Sequence, residues 1–168
     1  MLSALLLSIF PAALLIAAAT DLHDFKIPNW ISLVLIAGYV AAGVAMGAAP
    51  TEIAEGLALG AAVLVVGFGL FAVRFFGGGD AKLFAASAPW IGAANYLDYL
   101  LVTAIAGGYL AILILVFRKT PPLPVYAQAP WIMRMHQNQH ELPYGVAISA
   151  GGLMTFSQTP LFKLAFGG

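Results

Sequence analysis

The chain is poor in charge and has no cysteine. Only 8% of its 168 residues are Asp, Glu, Lys or Arg, where a soluble domain carries about 25%. That is too little polar surface to wet the outside of a globule. Seven acids balance seven bases, so no excess charge points to nucleic acid or to an acidic partner. The absence of cysteine excludes a disulfide, a thiolate zinc site and a cysteine nucleophile. No Lys or Arg precedes the first apolar run. Despite the Ala17-Ala18-Ala19 triplet, that run therefore reads as an uncleaved span, not a signal peptide.

What the chain does have is hydrocarbon. Hydrophobic residues make up 62% of it, with a mean hydropathy of +0.96. An all-α integral membrane protein is expected, lodged in the lipid bilayer. Roughly 20 apolar residues cover a core of about 30 Å, and this measure gives six spans, at 2–20, 30–49, 53–76, 81–94, 99–117 and 144–166. The fourth is short and carries Pro89. They form one transmembrane unit over 1–168, with no separate soluble domain. Trp30 and Tyr39 read as interfacial rings, Thr51 as a helix cap, and Gly56, Gly60, Gly67 and Gly69 as points of close helix packing. The only sizeable polar segment is 118–143, expected as an irregular loop with an interfacial helix around 131–140.

Lys26, Arg74, Lys82, Arg118, Lys119 and Arg134 fall in or beside the first, third and fifth breaks between spans. Basic loops stay in the cytoplasm, so the N-terminus is expected outside and the odd-numbered breaks inside. Two acids then share a face. Asp21 ends the first span and Asp80 opens the fourth, two crossings later. Carboxylates that share a site push one pKa up, so one stays protonated beside an ionised neighbour. Such a pair activates water and protonates a leaving amine. The run Gly77-Gly78-Gly79 before Asp80 leaves backbone bare for an extended peptide. The same residues also fit blander roles. Asp21, Asp24 and Lys26 suit a solvated loop, and Asp80 with Lys82 a surface ion pair. A small proton-coupled transporter or channel also uses intramembrane acids, but it would favour inverted repeats, and none is visible. His136 and His140, followed by Glu141, have the spacing of two zinc ligands on one helix face, but no third ligand is evident.

Three blocks carry a resemblance. Gly77-Gly78-Gly79-Asp80-Ala81-Lys82 resembles the Gly-x-Gly-Asp-x-Lys signature of type IV prepilin peptidases. Asp21-Leu22-His23-Asp24-Phe25-Lys26-Ile27-Pro28-Asn29 is similar to that family's other acidic block, in which an Ile-Pro pair follows the acid. Leu142-Pro143-Tyr144-Gly145 resembles the Pro-Phe-Gly that opens the last helix. The resemblance implies a membrane aspartyl endopeptidase that removes the short basic leader of a prepilin-like precursor at the cytoplasmic face of the inner membrane. It implies Asp21 and Asp80 as the catalytic pair, with Asp24 as the nearest rival for the first place. It places Gly77, Gly78, Gly79, Lys82, Lys26, Pro28, Pro143 and Gly145 around them, and it implies neither metal nor cofactor. The paired-cysteine segment of larger members, linked to N-methylation of the product, is missing. The short form resembles peptidase-only members serving Flp or Tad-type pili, or archaeal preflagellin peptidases.

Overall fold

The computed structural model describes residues 2–74, 76–121, 129–137 and 142–166, and among these every regular element is helical. In order they are α1 (Leu2–Leu7), α2 (Ile9–Asp24), α3 (Asn29–Ala45), α4 (Pro50–Ala72), α5 (Gly78–Ile91), α6 (Ala93–Lys119), α7 (Pro130–Gln137), α8 (Tyr144–Thr155) and α9 (Pro160–Phe166), with a 3-10 turn at Phe156–Gln158. α1 and α2 are one rod interrupted at Ser8. Pro11, three residues on, has no N–H to give Leu7, which loosens the ladder at that turn. Together α1 and α2 (Leu2–Asp24), α4 and α6 are long and apolar enough to cross a membrane, and α3 is a shorter apolar helix.

Packing contacts set the helix directions. Gly60 faces Ala85 and Pro89 while Gly67 faces Ala81, so α4 and α5 run antiparallel. Gly107 meets Tyr144 and Gly151 meets Thr103, which makes α6 and α8 antiparallel. Gly145 meets Asp21 and Gly152 meets Leu14, which does the same for α2 and α8. Asn29 pairs with Lys82 and Leu35 with Trp90, so α3 and α5 run parallel. The C-terminal ends of α2 and α4 and the N-terminal ends of α3, α5 and α8 are thereby gathered at one end of the bundle.

Buried contact is shared unequally. α4 and α6 leave Val65, Val66, Phe68, Ile105, Ile112 and Leu113 exposed, more apolar surface than water tolerates and what a lipid-facing helix requires. α5 is the reverse, buried at every residue from Leu83 to Ile91. Trp90 is its anchor. Its ring stacks on Phe10 at 5.2 Å and meets Tyr39 edge-on at 6.0 Å. Its indole N–H donates to the Leu35 carbonyl at 2.8 Å. Pro89 sits inside α5 and has no N–H for the Ala85 carbonyl. α4 brings Gly60 to that carbonyl, where a Cβ would stand 2.9 Å from the oxygen. Close packing of Gly60 covers the freed acceptor.

Several boundaries differ from the sequence expectation. The turn expected at Asn95–Asp98 is helical and belongs to α6. Reversal is accomplished by Gly92 alone, with φ +75°, a backbone that side chains disfavour. The span expected at 144–166 breaks after Thr155. Thr51 does not cap α4. Pro50 opens that helix, and the Ala49 N–H donates to Glu52 Oε2 at 2.9 Å. Tyr39 is core, not an interfacial ring: it is buried, and its hydroxyl donates to the Glu52 carbonyl. Trp30 is half exposed at the start of α3. Gly69 faces open space, whereas Gly56, Gly60 and Gly67 meet neighbouring helices.

Candidate active site

The break between α2 and α3 at the gathered end is a tight turn. α2 stops because Phe25 takes the left-handed conformation, φ 54° and ψ 34°, with its N–H donating to the Asp21 carbonyl at 2.9 Å. Pro28 is extended and starts α3. Arg74, also at positive φ, ends the turn after α4. Gly77 is extended and caps α5, which puts Asp80 at the third helical position. An acid there can reach back to the cap N–H, and the Gly77 amide acts on the Asp80 carboxyl in that sense, lowering its pKa. Pro143 is buried and caps α8; the Tyr144 N–H donates to the Leu142 carbonyl at 2.8 Å, so the amide of this first turn that reaches the cavity is that of Gly145.

These turns enclose a cavity of about 930 Å³. Asp21, Lys26, Ile27, Asn29, Arg74, Asp80 and Tyr144 line it, together with Gly77, Gly78 and Gly79. Asp21 is 5% exposed. Its Oδ2 accepts the Gly145 backbone N–H at 2.7 Å. Asp80 is half-buried and lies in the turn before the apolar stretch 81–94. Burial, then the charge of Asp21, push its pKa up to about 7 against the Gly77 hydrogen bond. A carboxyl so raised holds a proton near neutrality, and such groups cluster at functional sites.

The other expected residues divide. Lys26 lies exposed on the cavity wall with Arg74. Lys82 does not line the cavity. Two positions beyond Asp80 on a helix, it points to a different side, and its Nζ donates to Asn29 Oδ1 at 2.8 Å. Asp24 is also absent from the wall. It is half exposed and faces His23 at 2.8 Å and Arg134 at 3.7 Å. The helix expected around 131–140 is α7, described to Gln137. There His136 approaches the Thr120 carbonyl at 2.8 Å and packs edge-on against Phe117. His140 and Glu141 lie outside the described residues. Among the described residues no three His, Asp or Glu side chains converge as a metal site would require.

Sequence reasoning gave Arg74, Ile27, Asn29 and Tyr144 no place on the cavity wall. Asn29 and Tyr144 stand inside the quoted blocks, each as the first residue of a helix, and helix starts beside an acid are a usable signal. Arg74 reaches the cavity through a left-handed backbone that no local residue pattern announces.

No curated protein and no solved structure matches the chain. A model of the type IV leader peptidase family does match, over residues 8–112, a stretch that contains both cavity acids and stops before Gly145. With more than half of its length matched in this way, the chain belongs to the type IV leader peptidase family.

Proposed function

We propose that this protein is an aspartyl endopeptidase, with Asp21 and Asp80 as its dyad, that cuts a short basic leader from prepilin-like precursors. The observation that carries the reading is the convergence of two acids from different helices on one cavity. One is buried on a backbone amide and the other has its proton affinity raised. Two carboxyl groups sharing one proton attack a peptide through water, with no covalent intermediate. The ionised member takes a proton from the water and the protonated member supplies one. Gly77, Gly78 and Gly79 form a wall without side chains, suited to an extended peptide laid against it. Lys26 and Arg74 at the same wall add positive charge that favours an ionised acid within.

The finer identity follows the same reading. The span count is six, with α8 and α9 together as the last. The base-rich breaks face the cytoplasm, the N-terminus lies outside, and cleavage takes place at the inner face of the cytoplasmic membrane. The precursors are of the Flp or Tad type. No metal takes part, and the product is not N-methylated.

The test is co-expression with candidate pilin precursors, scored by the gel shift that accompanies leader loss. Asp21→Asn and Asp80→Asn abolish the shift while the protein still inserts, and Asp24→Asn retains it. An active Asp21→Asn beside a dead Asp24→Asn would show the assignment to be wrong.

A further inference from the structure

Asp21 occupies a place that should not suit an anion. It lies in the last turn of α2, where the helix end carries partial negative charge, and it is almost fully buried, which disfavours ionisation. The compensation comes from α8, whose N-terminal end carries the opposite partial charge. The Gly145 N–H reaches Asp21 Oδ2 at 2.7 Å, the short end of N–H···O bonds, where charge-assisted ones also fall. This approach depends on the missing side chain. A Cβ on Gly145 would stand 2.8 Å from that oxygen, 3.1 Å from Asp21 Cβ and 2.8 Å from Ile27 Cδ1.

The charged and titratable groups around Asp21 come from several elements. Asp80 of α5, Tyr144 of α8, Lys26 and Arg74 line the cavity with it. His23 and Asp24 of its own helix and Arg134 of α7 pair with one another outside the cavity wall. Asp80 makes its amide contact with Gly77, the cap of its own helix, and is the more exposed of the two acids.

We propose that Gly145 is a positioning residue, whose amide and bare Cα keep Asp21 ionised and so make Asp21 the base and Asp80 the acid of the dyad. This rests on the peptidase reading. Water adds to the scissile carbonyl carbon. Its proton passes to Asp21 while the Asp80 proton passes to the carbonyl oxygen, giving a gem-diol. As the C–N bond breaks, Asp21 returns its proton to the leaving nitrogen and Asp80 recovers one from a diol hydroxyl. The products are a carboxylic acid and an amine, and both side chains end as they began.

The test uses the full chain in detergent with the precursor it processes in co-expression, read as initial rate against pH. Amide hydrogen bonds hold a carboxylate pKa down, so losing one is expected to move the acid limb of the profile upward by about one pH unit. Gly145→Ala shows this shift. The alkaline limb stays in place, because both species on that side have Asp21 ionised. Gly145→Ala combined with Ile27→Ala relieves the contact with Ile27 but leaves the Cβ against the carboxylate, so the shift persists. The double variant also decides the matter if the single one fails to insert. An acid limb that stays at its wild-type position, with a uniform loss of rate, overturns the proposal, as does a limb restored by Ile27→Ala. Either result leaves the dyad standing if Asp21→Asn and Asp80→Asn are dead. Turnover by Asp21→Asn sinks the dyad itself.

Discussion

Gly79 lies directly against Ile27. A Cβ built on Gly79 would meet the Cβ of Ile27 at 3.3 Å and its backbone nitrogen at 3.6 Å. The two motif blocks thus touch through the one residue type that lets backbone approach so closely, and the contact brings the turn of Asp80 beside that of Asp21.

Side chains at position 79 are therefore expected to separate the acids according to their size. Gly79→Ala needs a shift of a few tenths of an ångström and keeps partial leader removal. Gly79→Leu overpacks the contact, at about 1–3 kcal/mol, and loses leader removal while the protein still inserts. Ile27→Ala in the Gly79→Leu background recovers part of it. The gel shift in co-expression measures all three.

Processing is also expected to fall as pH rises through about 7, where Asp80 gives up its proton. The stability consequence follows the same sign. The folded-state value lies above the ordinary carboxyl value of 3.8, so the folded protein binds this proton more tightly than the unfolded chain between those two values. Stability from this group falls as pH rises across that window. Asp80→Asn, neutral throughout, should then be inactive yet melt higher than wild type at pH 8. An equal or lower melting temperature there would contradict the raised value.

Trp90 should be the most costly side chain to trim in α5. Trp90→Phe keeps an aromatic ring but gives up the hydrogen bond to the Leu35 carbonyl and part of the packing on Phe10 and Tyr39. A loss of about 1–3 kcal/mol is expected, read as a lower unfolding midpoint in detergent.

Gly60 and Gly69 form a matched pair of controls nine residues apart on α4. Gly60→Val places a Cβ 2.9 Å from the Ala85 oxygen, which is backbone and cannot turn away, so the expected cost is about 1–3 kcal/mol. At Gly69 a Cβ meets nothing within 4 Å, so Gly69→Val should leave thermal stability unchanged. Equal effects of the two would show that α4 packs on α5 differently.

Residue pattern revealed a good part of this arrangement. Apolar run lengths located most of the helices, and the acids at 21 and 80 stood out because charge is scarce elsewhere. Other features have no one-dimensional signature. Asn95 looks like a turn residue, yet it stays helical, and its amide donates to the Ile91 and Gln158 carbonyls. Gly92, which makes the turn, sits in an unremarkable run of small residues. Asp24 and Asp21 differ little in local context, and only the direction each takes off α2 separates a cavity wall from a surface pairing with His23 and Arg134. Tyr39 resembles an interface anchor until Gly56 is seen to make room for its ring.

The enclosure of α5 has a mechanical consequence. At 1.5 Å per residue its 14 residues rise only about 21 Å, against a hydrocarbon layer of about 30 Å. Because its neighbours are protein along nearly the whole length, this helix need not adjust to the thickness of the surrounding lipid. A thicker or thinner bilayer is met first by α4 and α6, which tilt to match it. The depth of Asp80 is referenced to Asp21 through protein contacts, so alignment of the two acids is insulated from changes in lipid composition.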